Sequence, residues 1–167
     1  QKATVMTVDI CNASVSLQSA EALTSWNAMI RAFLAHGTAT PQHLGATLEA
    51  DPDFAMAHAA RGLFSLMLGR AEMWVVAEGA LASAKAARAA RPVSDREACW
   101  IDALEAWLAM HPTGAIAALE RALQDQPQDT LSAKASQAIR FILGDAAGMR
   151  RSIERVLPAH GPDHPLC

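Results

Sequence analysis

The stretch GAIAALERALQDQP, residues 114–127, sets small residues at Ala115 and Ala122, a leucine between them at Leu119, and a closing Pro127. On a helix of 3.6 residues per turn these side chains share one face. Small residues on that face let a helix lie close against two neighbours at once, while Leu119 fills the gap between them. Those are the second-helix offsets of a tetratricopeptide repeat, so the stretch predicts an antiparallel helix pair that stacks on the next pair.

The pattern extends in both directions. Leu23, Trp26, Ile30, Phe33 and Leu34 form an apolar stripe over residues 19–36, with Gly37 expected to take the left-handed conformation that stops the helix. Thr40 and Pro41 read as the cap and first position of a second helix, and Asp51 and Pro52 as those of a third that runs to Gly69. A fourth helix spans 71–91. Ser94 and Glu97, at capping-box spacing, open a fifth carrying Trp100, Leu104, Trp107 and Leu108. Pro112 opens the sixth, Thr130 to Leu143 makes the seventh, and Asp145 starts an eighth that ends at Pro158, with Met149, Ile153, Val156 and Leu157 expected inward. Prolines close the pairs at Pro52, Pro92, Pro127 and Pro158, in steps of roughly 31 to 40 residues that straddle the tetratricopeptide period of about 34. The expected fold is all-α: a right-handed superhelical solenoid of tetratricopeptide-like antiparallel helix pairs over 19–158. An extended amino-terminal segment, 1–18, precedes it, and a non-helical tail, 159–167, follows as an expected truncation point.

Composition narrows the function classes. With 51% hydrophobic and 19% charged residues, the 167-residue chain supports one substantial core. The net charge of −3 and the scattered arginines give no footprint for nucleic acid. No apolar run is long enough to span a membrane, so the chain is read as cytoplasmic and without a membrane partner. Its three cysteines, Cys11, Cys99 and Cys167, are too far apart for a disulfide framework or a zinc pair, and reduced thiols are expected.

Four stretches carry a family likeness: SAEALTSWNAMIRAFLAHG (19–37), LEADPDFAMAHAARGLFSLMLGR (48–70), ALEAWLAMHPTGAIAALERALQDQPQD (103–129) and FILGDAAGMRRSIERVLPAHGPDHP (141–165). In order and spacing they resemble the amino-terminal part of the tetratricopeptide repeat protein 38 family. The resemblance covers roughly residues 9–165. It implies a helical-repeat fold and brings no catalytic residues with it. It also implies that the tail leads into a further helix of a longer chain.

No phosphate-binding loop, nucleophile–base signature or HExxH is present, so a non-catalytic protein or peptide scaffold is expected, with no cofactor. In a tetratricopeptide array the first helix of each pair builds the concave face, which makes His58, Arg61, Glu97, Lys134 and Arg140 the candidate groove residues. The alternative is a small-molecule-binding or enzyme-accessory subunit using an apolar groove around His58 and Trp107. A third reading is self-association through an uncapped solenoid end. Asp102 and Glu105, one turn apart, are read as a solvated face rather than an acid–base pair. His160, His164 and Cys167 carry zinc-ligand chemistry, but Gly161, Pro162 and Pro165 prevent the helix that would align the two histidines, so no metal site is expected.

Overall fold

The structure, a computed structural model, describes residues 6–161. Alanine-rich amphipathic segments form helices where the apolar spacing predicts them: α1 (Ala20–Leu34), α2 (Thr40–Ala50), α3 (Ala55–Met67), α4 (Ala71–Ala90), α5 (Asp95–Leu108), α6 (Pro112–Asp125), α7 (Thr130–Leu143) and α8 (Ala146–Val156). Neighbours in sequence pack as neighbours in space, α1 on α2, α3 on α4 and α5 on α6. Side-chain caps define several starts. Ser19 accepts from the Ala22 amide, Ser94 from Glu97, Asp129 from Ser132 and Asp145 from Gly148.

Three expected boundaries move. Thr40, expected as the cap of α2, is its first helical residue; Ala39 is the cap, and the Thr40 hydroxyl donates to Gly37 O at 2.9 Å. Asp51 does not open α3 but ends α2, and α3 begins at Ala55 after the Pro52–Asp53 turn. The Asp51 carboxylate instead accepts from the Gln18 amide at 3.2 Å and from both terminal nitrogens of Arg91 at 2.8 and 2.5 Å. It thereby ties the end of α2 to the end of α4. At the end of α1 the left-handed position falls on His36 (φ 55°) rather than Gly37. His36 N donates to Phe33 O and Gly37 N to Ala32 O, a Schellman closure with histidine in the usual glycine position.

An aromatic series joins the odd-numbered helices. Trp26 of α1 meets Phe54 edge-on at 5.1 Å. Phe33 stacks on Phe64 of α3 at 4.4 Å, and Phe64 meets Trp100 of α5 edge-on at 6.3 Å. Trp100 Nε1 then donates to Ser132 Oγ of α7 at 2.8 Å. The series turns back on itself: α7 also touches α1 and α3. Ala115, Leu119 and Ala122 are buried on α6, as their spacing predicts.

The amino-terminal segment is more than an extended arm. Thr7–Val8 (β1) pairs antiparallel with Ser14–Val15 (β2) in a two-stranded hairpin whose turn is built on Asp9. Asp9 Oδ1 accepts from the Cys11 amide at 2.9 Å and the Ala13 amide at 3.4 Å. Cys11, Ala13 and Val15 are completely buried against the helices.

Helices α3 and α5 approach so closely that a Cβ on Gly62 would overlap the δ-carbons of Leu104, itself fully buried. Gly62→Ala is expected to destabilise the fold by about 1–3 kcal/mol through overpacking. Gly79→Ala, in the middle of α4 with no atom within 4 Å of the added carbon, is expected to stabilise it by up to about 1 kcal/mol. Urea unfolding midpoints moving in opposite directions would bear this out.

Candidate functional site

The helices expected to line an open concave face instead hold a buried polar knot. Arg96, at the start of α5, lies between two carboxylates: Nη1 on Asp9 Oδ2 at 2.6 Å, Nη2 on Asp129 Oδ1 and Nε on Asp129 Oδ2, both at 2.8 Å. All three side chains are essentially inaccessible. Trp26 Nε1 donates to Asp9 Oδ2 at 3.0 Å, and the Ser132 amide and hydroxyl both donate to Asp129. Burial by itself would lower the Arg96 pKa; the adjoining Asp129 and Asp9 outweigh it and raise it, so the guanidinium is permanently charged. Every oxygen is used within the knot, which is therefore structural in chemistry.

The five groove candidates are not brought together. Glu97 is fully buried, and its carboxylate accepts from the Ser16 amide at 2.6 Å and the Ser16 hydroxyl at 2.7 Å. Burial raises its pKa, and the two Ser16 bonds only partly offset this. The chain's own segment after β2 thus occupies the place expected for a partner peptide. Arg140 is tied to Asp145 at 2.6 Å and, more loosely, to Glu120 at 3.5 Å, joining α6, α7 and the cap of α8. Lys134 donates to Leu34 O and to His36 Nε2, both at 2.9 Å, and stands 5.6 Å from the centre of the Phe33 ring. Burial lowers its pKa. His58 is half-buried, with Nε2 at 2.7 Å from Pro52 O across its own turn. Arg61 alone is exposed, and no carboxylate of the described residues pairs with it.

Arg61 does line a cleft, one that the sequence gives little sign of. Its volume is about 830 Å³, and it opens between the first two helix pairs. Helix α3 contributes Arg61, Phe64, Ser65 and Leu68, spaced at helical intervals; α2 contributes Thr40, Pro41, Leu44, Gly45 and Leu48. The end of α1 adds Phe33 and His36, and the start of α4 adds Met73 and Val76. Neither His58 nor Trp107 is among its lining residues. The sequence signal for it is slight: Leu44 and Leu48 stand one turn apart on α2, as leucines packed on α1 also would.

Other singled-out groups are engaged elsewhere. Glu105 pairs with Lys85 at 2.5 Å and Asp102 with Arg121 at 3.5 Å, across different helices, so the two acids serve separate surface contacts. The Cys11 thiol is pushed up by burial and by Asp129 and Asp9, and Cys99 by burial, so both are held protonated. His160 lies 3.0 Å from Thr130 Oγ1 and 3.0 Å from Val156 O; His164 and Cys167 lie outside the described residues. Among the described residues no three His, Cys, Asp or Glu gather as metal ligands, and no helix is long and apolar enough to cross a membrane. No family model matches the chain, and no solved structure matches it at a significant level.

Glu97 provides a pH test. With its folded pKa raised above the ordinary 4.5, the native state holds the proton to higher pH than the unfolded chain does. Its contribution is therefore complete below about 4.5 and is lost as pH rises through the folded value. Glu97→Gln keeps a donor and an acceptor for Ser16 and has no charge to bury. Unfolding free energies should nearly coincide at low pH and separate in favour of the variant as pH rises; parallel curves would refute the assignment.

Proposed function

We propose that this chain is a non-catalytic helical-repeat protein that binds a small ligand in the cleft between its first two helix pairs. One observation carries the reading: a cavity of about 830 Å³ with apolar walls from four helices and a single uncommitted guanidinium. Pockets of that size, mostly apolar with a few polar groups, are the usual form of small-molecule sites. The expected peptide groove on the odd-numbered helices fares less well, because Glu97, Lys134 and Arg140 already have partners within the chain.

The four pairs are read as a right-handed tetratricopeptide-type array. Support comes from the pairwise packing, the small residues at Ala115 and Ala122, and the resemblance to the tetratricopeptide repeat protein 38 family. Non-catalytic action is supported by the state of the reactive groups: both described thiols are protonated and the Arg96 carboxylates are tied.

Uptake of the neutral fluorophore N-phenyl-1-naphthylamine tests the cleft, since its emission rises in apolar surroundings. Gly45→Leu adds a side chain at the cleft where the Cβ meets no atom within 4 Å, and circular dichroism checks that the variant is folded. We expect uptake by the unaltered chain and at least about tenfold weaker uptake by the variant, the order expected for filling an apolar site. Equal uptake by both would refute the reading.

A second reading, self-association, has its own observation. Phe141 is 74% exposed, Leu157 57% and Ile142 50% at the end of α7 and beyond α8. Ile153 and Leu157, expected to face inward, are exposed, and only Val156 of that set is fully buried. Light scattering is expected to show a dimer that Phe141→Lys converts to monomer.

A further inference from the structure

The cleft's charge pattern narrows its occupant, provided that the cleft is a ligand site as proposed above. Its lining contains Arg61 and His36 but no aspartate or glutamate. The two basic residues stand at different ends. Trp26 meets Phe54 and Phe33 meets Phe64, so α1 and α3 run in the same direction. His36 is therefore level with the last turn of α3, whereas Arg61 is the first α3 residue to reach the cleft. From Arg61 to Leu68 the wall extends about 10 Å along the helix, lined by Phe64, Met67 and Leu68 and faced by Leu44 of α2.

Among the described residues, Arg61 shares the lack of a carboxylate partner with the exposed Arg31, Arg70 and Arg88, but of these four it alone lines the cleft. Arg91, Arg96 and Arg140 each have a carboxylate within 2.8 Å. Arg61 has none, although it borders an apolar space in which an ion pair is less screened than in water. His36 cannot take this role: Lys134 donates to its Nε2, which leaves the ring accepting there and fixes it toward α7. The lysine's other hydrogen bond goes to the Leu34 carbonyl.

We propose that the cleft takes a monoanionic amphiphile, an unbranched aliphatic chain ending in one carboxylate. The carboxylate pairs with Arg61, and the chain lies along Leu44, Phe64, Met67 and Leu68. A neutral amphiphile of equal length fills the same apolar space and leaves the guanidinium to water. The carboxylate adds a charge-assisted, bidentate contact, which at an exposed arginine corresponds to about tenfold in affinity.

The test is displacement of N-phenyl-1-naphthylamine from the full chain by laurate below its micellar concentration and by 1-dodecanol below its aqueous solubility. Laurate is expected to displace at about tenfold lower concentration than dodecanol. Arg61→Gln should bring laurate to the level of dodecanol, and Arg61→Lys should restore part of the difference. Arg88→Gln, on the exposed face of α4 and away from the cleft, should change nothing. Circular dichroism checks that each variant is folded. Equal displacement by the two compounds, or an Arg61→Gln effect of the same size on both, overturns the assignment of a carboxylate while the cleft reading stands. Failure of the fluorophore to enter at all overturns both.

Discussion

A guanidinium held in the interior between two carboxylates sets the terms for the rest of this molecule. Arg96 can be buried only because Asp9 and Asp129 supply its charge partners, and these lie on either side of it, 87 and 33 positions away in the sequence. The group carries a net negative charge, which the amides of Cys11, Ala13 and Ser132 and the indole of Trp26 help to absorb. Removing one partner from such a cluster commonly costs about 3–5 kcal/mol, because the charge left behind has no water to return to. The hairpin therefore belongs to the core, and the face of the helices it covers is closed.

That closure also removes the open trough expected along the odd-numbered helices. In an open array the first helices of each pair offer a continuous trough. Here residues 7–17 lie across α1, α5 and the turn into α7, and Glu97 meets Ser16 of the same chain. The space that remains lies between the first two pairs, walled by α2, α3 and the start of α4. Arg61 reaches it because α3 presents one stripe toward α5, through Gly62, and the adjacent stripe toward α2.

Helix number, most of the boundaries and the buried face of α6 were legible in the sequence because local spacing decides them. Trp26 and Trp100 read as core, and both are completely buried. What escaped was everything that depends on distant pairing. Asp9 looks like an ordinary turn residue until Arg96 is placed beside it, and Glu97 looks like half of a capping box until Ser16 arrives. Asp51 and Pro52 form a good helix-start signal, but the Arg91 contact makes Asp51 more valuable as the close of α2. His36 illustrates another limit. Glycine is the cheaper residue in a left-handed turn, and the hydrogen bond from Lys134 that accompanies the histidine there comes from a helix almost a hundred residues away.

The hairpin also changes how such a chain acquires its structure. Helix pairs form from contacts between near neighbours in sequence, which favours fast, stepwise growth of the array from any starting pair. The bond between Asp9 and Arg96 spans 87 positions, and that between Ser16 and Glu97 spans 81. On a ribosome the hairpin emerges before the helices it covers and docks only after α5 and the start of α7 have followed it. Residues made before the helices are thus among the last to settle, and their docking links helices that lie far apart in the sequence.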